Sequence, residues 1–84
     1  MSNVEVEFYW RPGCGFCAAL DRPMSRSGFN VRKINIWEDP SGAARVREVA
    51  NGNETVPTVI VGSTAMVNPS FAEVEAAVKA ASAG

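Results

Sequence analysis

The residues of this chain best suited to chemistry are Cys14 and Cys17, in the run Cys14-Gly15-Phe16-Cys17. The run follows an alternating apolar stretch and opens a helical pattern, a setting that favours thiol–disulfide exchange. A cysteine at a helix N-terminus meets free backbone N–H groups and the positive end of the helix dipole, and both favour its thiolate. Arg11, just before it, adds a positive charge. The gain matters, because a free thiol is only ~3% ionised near neutral pH. Cys17 falls on the inward stripe with Leu20 and Met24, so it should be more buried and a poorer nucleophile. One helical turn still brings it close enough to Cys14 to form or resolve a disulfide. On this reading Cys14 attacks and Cys17 resolves.

Other uses of the pair have to be weighed. A structural zinc site wants about four ligands, and two cysteines without a histidine cannot supply a usual set. Two inert core cysteines are the plainer alternative, since free cysteine often behaves as a small buried hydrophobe. A cluster bridged between two chains through Cys14 is a third option.

Thr55-Val56-Pro57 precedes an apolar run. A lone proline there is by default an edge-entry residue. Downstream of a Cys-x-x-Cys, a cis Val56–Pro57 bond would turn the Val56 backbone toward Cys14. Its N–H and C=O would then pair with a substrate cysteine like a short added strand. Asn68-Pro69-Ser70 reads first as a helix cap. The same N-terminus would also suit a carboxylate near the active site. Arg45 and Arg47 read as solvated charges. Trp37, Glu38 and Asp39 fit either a groove wall or capping and surface packing.

Elements must position these residues. Val4, Val6, Phe8 and Trp10 alternate with Glu5, Glu7 and Tyr9, which predicts a strand. Arg11-Pro12-Gly13 breaks it. A helix follows from Cys14, which Pro23 should kink or cut short and Ser27-Gly28 should close. Val31 to Ile36 reads as a second strand. Asp39 and Pro40 open a second helix with Ala43, Val46 and Ala50 on one face, stopped by Asn51-Gly52. Val59-Ile60-Val61 predicts a third strand, and Gly62-Ser63 turns the chain into a fourth, Ala65 to Val67. Asn68-Pro69 opens a last helix with Phe71, Val74 and Val78 inward, while Ser70 and Glu73 offer an alternative capping box. Ala81 to Gly84 reads as a fraying tail. The order β-α-β-α-β-β-α predicts a parallel first pair, an antiparallel hairpin, and a mixed α/β sheet with helices on both faces. Glu5 and Glu7 are awkward on an inner strand, so that face should be incompletely covered or the glutamates should pair with arginines.

Composition sets outer bounds. The chain has 84 residues, enough for one domain spanning 1–84. Its net charge is −1, which leaves no basic excess to neutralise nucleic-acid phosphates. Met1 to Trp10 lacks a basic start and an apolar run, and no stretch approaches a membrane span, so a cytoplasmic protein is expected.

Taken together, Tyr9 to Cys17, Thr55-Val56-Pro57 and Asn68-Pro69-Ser70 resemble the glutaredoxin family over essentially the whole chain, and more closely its mycoredoxin branch. The resemblance implies a thioredoxin fold with a four-stranded mixed sheet. It implies a nucleophilic Cys14, a resolving Cys17, and Val56 with cis-Pro57 as the platform for a thiol ligand. Arg11 stands where glutaredoxins commonly carry a lysine that meets the glutathione carboxylate. Gly15-Phe16 replaces the usual Pro-Tyr, and Asn68-Pro69-Ser70 replaces a Gly-Gly and acidic helix start. Those departures point from glutathione toward mycothiol, a sugar-containing thiol with no glutamyl carboxylate. The expected binding residues are Arg11, Gly15, Phe16, Thr55, Val56, Pro57, Asn68 and Ser70. The expected activity is reduction of mixed disulfides between proteins and a low-molecular-weight thiol, by a monomer with no bound cofactor. A general disulfide reductase fed by thioredoxin reductase is one alternative. An iron–sulfur carrier is another: Gly-Phe also resembles cluster-binding monothiol glutaredoxins, though those carry serine where Cys17 stands.

Overall fold

A computed structural model describes residues 4–83. The elements run β1 (Glu5–Trp10), α1 (Gly15–Arg26), β2 (Asn30–Asn35), α2 (Pro40–Val49), β3 (Thr58–Val61), β4 (Thr64–Val67) and α3 (Phe71–Ala83). They build a four-stranded sheet in the order β2-β1-β3-β4. β1 pairs parallel with β2 and antiparallel with β3, and β3 pairs antiparallel with β4. This is the mixed α/β sheet expected from the element order, and the thioredoxin fold that the resemblance implies. Among the described residues no helix is long and apolar enough to cross a membrane.

The period of the strands sorts side chains onto two faces. Val6 and Phe8 of β1 and Val59 and Val61 of β3 pack beneath Cys17, Leu20 and Met24 of α1 and Val74 and Val78 of α3. Tyr9, Ile34 and Ile60 face the other way, onto Ala43, Val46 and Ala50 around α2. Each fully buried Val or Phe stabilises the fold by roughly 1.5–3 kcal/mol relative to exposure. α2 is short and leaves the start of β1 uncovered. Glu5 is exposed there, and Glu7, half-buried, accepts a hydrogen bond from the Tyr9 hydroxyl at 2.9 Å. Of the two expectations for these glutamates, the open face is the one realised.

Local chemistry sets the element ends. Asp39 caps α2, accepting from Ser41 N and Gly42 N at 3.1 Å each, with Pro40 in the first turn. Asn51 and Gly52 stop it at positive φ (56° and 85°), the left-handed region that these two residues tolerate best. Gly62, at φ 59°, supplies the positive-φ position of the β3–β4 turn.

Four expectations are corrected. β2 runs one residue earlier than Val31 to Ile36, although Ile36 N still donates to Trp10 O at 2.9 Å. α1 continues through Pro23 to Arg26, because apolar packing of Leu20 and Met24 on both sides of the proline outweighs one missing backbone bond. α3 starts after Ser70 rather than at Asn68-Pro69. The capping box forms in both directions, Ser70 N to Glu73 Oε1 at 2.8 Å and Glu73 N to Ser70 Oγ at 3.2 Å. The expected tail from Ala81 is helical to Ala83, with the Ser82 hydroxyl donating to Val78 O at 2.8 Å, and Gly84 lies outside the described residues.

Candidate active site

The C-terminal end of β1 delivers the chain to the site. Arg11, Pro12 and Gly13 form the turn, with Gly13 at φ 76°, and Cys14 becomes the N-cap of α1 in extended conformation. The Cys14 sulfur takes the place of the usual hydroxyl or carboxylate cap: it accepts the Cys17 N–H at 3.1 Å. An anionic sulfur at this point would be stabilised by that N–H and by the dipole of α1. Cys14 and Cys17 form a disulfide, with Cα atoms 5.2 Å apart.

The two cysteines differ in access. Cys17 is 4% exposed, in the core beside Leu20 and Met24, as its place on the stripe requires. Cys14 is half-buried rather than fully exposed, because its sulfur is tucked between the first turn of α1 and the Val56 carbonyl, 3.8 Å away. The Val56–Pro57 bond is cis. Pro57 is buried, while Thr55 and Val56 keep part of their surface open. The Thr55 carbonyl accepts from the Thr58 hydroxyl at 2.8 Å, which fixes the approach to β3.

The remaining candidates divide between two clefts. A cavity of about 260 Å³ beside the disulfide is lined by Arg11, Trp10, Cys14, Cys17, Asp21 and Lys33, among others. The Arg11 guanidinium also stands over the Trp37 ring, 5.7 Å from its centroid, and donates to Pro12 O at 3.3 Å. A second cleft of about 200 Å³ holds Phe16, Asn68 and Ser70 on the α3 side of α1. Asn68 sits at φ 51° and its N–H donates to the Pro57 carbonyl at 2.7 Å, so β4 is tied to the cis-proline loop. Gly15 is exposed and a side chain there would meet nothing within 4 Å. Phe16 is 72% exposed. Cys14 with Val56 and Pro57 is therefore one assembled group. Asn68 and Ser70 lie with Phe16 in the other cleft.

Trp10, Asp21 and Lys33 also line the first cavity, although no motif in the sequence marks them. Asp21 could have been found, since it follows Cys17 by one helical turn. Lys33 joins it only through the parallel register that sets Phe8 beside Lys33. Among the described residues no group of three or more His, Cys, Asp or Glu is placed to hold a metal ion.

This geometry agrees with comparison to known proteins. The glutaredoxin family model matches residues 6–66, from β1 through most of β4. The chain belongs to the glutaredoxin family. NrdH-redoxin from Escherichia coli, a glutaredoxin-like protein, is 31% identical, with TM-score 0.64 over 80% of this chain and 83% of that one. A glutaredoxin from Brucella melitensis is 29% identical, with TM-score 0.66 over 94% and 86%. A glutaredoxin from Archaeoglobus fulgidus shares the fold at TM-score 0.75 and 20% identity, over 90% and 87%. No curated protein sequence matches. The family and the Cys14–Cys17 disulfide establish a glutaredoxin-like thiol–disulfide oxidoreductase.

Proposed function

We propose that this protein reduces mixed disulfides between protein cysteines and a low-molecular-weight thiol, and that the small thiol is mycothiol. The observation that carries the exchange chemistry is the asymmetry of the pair. One sulfur caps a helix beside an open cavity, and the other is 4% exposed in the core.

The Cys14 thiolate attacks the small-thiol sulfur of the mixed disulfide, and the target protein leaves as a thiolate that takes up a proton. Cys14 now carries the small thiol. A second small-thiol molecule attacks that sulfur as its thiolate, freeing Cys14 and releasing the small-thiol disulfide. Cys17 competes by attacking the Cys14 sulfur, which closes the internal disulfide and expels the small thiol. Val56 and Pro57 form the wall on which the ligand rests, with the Val56 backbone offered as a strand edge. Arg11, Gly15 and Phe16 border the approach to the reactive sulfur.

The start of α3 supports a thiol without a free carboxylate. Two of its N–H groups are already used from within, Ser70 N by Glu73 Oε1 at 2.8 Å and Glu73 N by Ser70 Oγ at 3.2 Å. A ligand carboxylate would meet the like charge of Glu73 there. A second reading has one observation in its favour. The E. coli NrdH-redoxin is described as having a thioredoxin-like activity profile, so reduction by a thioredoxin reductase is the competing route. We place the protein in the cytoplasm as a monomer without a bound cofactor.

The deciding experiment is a steady-state assay with three donor systems: mycothiol with its reductase, glutathione with its reductase, and thioredoxin reductase. The first should give the highest kcat/KM, and Cys14→Ser should abolish it. A preference for thioredoxin reductase would favour the competing route, and a preference for glutathione would overturn both.

A further inference from the structure

The cavity beside the disulfide contains a charged pair that this scheme leaves unused. Asp21 lies one helical turn beyond Cys17, and both line the cavity. Lys33 reaches it from β2, with Nζ 2.8 Å from Asp21 Oδ1. The Ser25 hydroxyl donates to the same oxygen at 3.3 Å. Both interactions end on Oδ1. Among the described residues Oδ2 has no hydrogen-bond partner. The cavity, about 260 Å³, has room for several waters, and Asp21, Lys33 and Arg11 give them polar partners.

Resolution by Cys17 needs a proton acceptor. Cys17 is packed against apolar neighbours, which disfavours its thiolate, yet it must lose a proton before it can attack. The chain has no histidine. Glu7 lies on the opposite face of β1, bonded to Tyr9. Among the described residues Asp21 is the one carboxylate lining the cavity, and Arg11 and Lys33 are its other charged groups.

We infer that Asp21, held by Lys33, accepts the Cys17 proton through a water in this cavity during the resolving step. The Cys17 S–H bond breaks and its proton passes by way of the water to the Asp21 carboxylate. The Cys17 thiolate attacks Cys14 Sγ, the Cys14–Cys17 bond forms, and the bond from Cys14 to the small thiol breaks. The expelled thiolate takes a proton from solvent, and Asp21 returns its own to solvent. When the internal disulfide is reduced, Cys17 leaves as a thiolate and the path runs in reverse. Asp21 is a positioning and proton-relay residue, since its path to the sulfur includes a water. The inference rests on the reading that Cys17 resolves, and is independent of which small thiol is used.

Stopped-flow mixing of the reduced protein with dithiobis(nitrobenzoate) tests it. Cys14 releases one thionitrobenzoate in a fast phase that depends on reagent concentration. Cys17 releases the second in a unimolecular phase. Asp21→Asn should slow the second phase by about tenfold near neutral pH while leaving the first within about twofold. The deficit should close at high pH, where hydroxide removes the proton instead, and Asp21→Glu should restore most of the rate. A second phase at the wild-type rate in Asp21→Asn would overturn the inference. So would one slowed by the same factor at every pH, the mark of a purely structural effect. A wild type with no second phase would overturn the resolving role of Cys17 and this inference with it. Turnover that follows glutathione while Asp21→Asn shows the shifted profile would overturn the mycothiol reading alone.

Discussion

Cys14 caps α1 with part of its surface open, whereas Cys17, one turn further on, is 4% exposed among Leu20 and Met24. That difference separates two routes. Cys17→Ser should keep at least about half of the turnover on a protein–mycothiol mixed disulfide, because that route needs one sulfur. It should lose at least about tenfold on an insulin-type protein disulfide, which needs an internal resolving thiol. Measuring both activities on the same preparation gives the ratio directly. A second residue ties the sheet to pH. The Tyr9 hydroxyl is pushed up from 10.0 to about 12, first by burial and then by its hydrogen bond to Glu7 and that carboxylate's charge. The folded state thus binds this proton more tightly than the unfolded chain does. The resulting stability is complete below pH 10 and is lost as pH rises from there toward about 12. Urea midpoints should fall across that window, and Tyr9→Phe, which has no phenol to ionise, should fall less steeply.

α2 owes its closeness to the sheet to a missing side chain. A Cβ on Gly42 would stand 2.6 Å from Ile34 Cγ2 and 3.4 Å from Asp39 Cγ. Helix propensity alone says that Gly42→Ala should stabilise by about 1 kcal/mol. The contact falls on the γ2 methyl of a buried isoleucine, which has little room to turn, so overpacking of about 1–3 kcal/mol wins. Gly42→Ala should therefore lower the midpoint of chemical unfolding. The same element shows what was legible in the sequence. The Asp39 cap, Pro40, the Ala43–Val46–Ala50 face and the Asn51-Gly52 stop act within a turn or two of themselves, and all were readable. The start of α3 was ambiguous because two adjacent cap signals compete, and only the formed Ser70–Glu73 box decides between them. Pro23 misled because the packing that carries α1 through it comes from distant strands. Within the site, Cys14, Cys17 and Pro57 declared themselves by type and spacing. Lys33 did not, because its meeting with Asp21 depends on strand register.

At the scale of the whole molecule, the sheet brings the exposed apolar side chains to the catalytic end. Trp10 lies opposite Asn35, so Trp37 emerges just beyond that end of β2. Tyr9 lies opposite Thr58, and Thr58 opposite Val67, so Val67 emerges there too. Phe16 stands two residues after Cys14, in the first turn of α1. The exposed large hydrophobics among the described residues are these three, Phe16 at 72%, Trp37 at 64% and Val67 at 42%. Side chains so exposed add little to folding stability, and their gathering around one reactive sulfur suits a protein substrate that covers them. Phe16→Ala and Trp37→Ala should therefore leave the thermal midpoint nearly unchanged. Each should lower kcat/KM for a protein substrate by about threefold to tenfold, mainly through KM, which corresponds to about 0.7–1.4 kcal/mol of binding. Turnover of a small chromogenic disulfide, which reaches Cys14 without covering the apolar rim, should change by less than about twofold. Equal losses on both substrates would instead place Phe16 or Trp37 in the chemistry at Cys14. Trp37 could act there through the Arg11 guanidinium stacked over its ring, and Trp37→Phe, which keeps a face for the cation, separates the two cases.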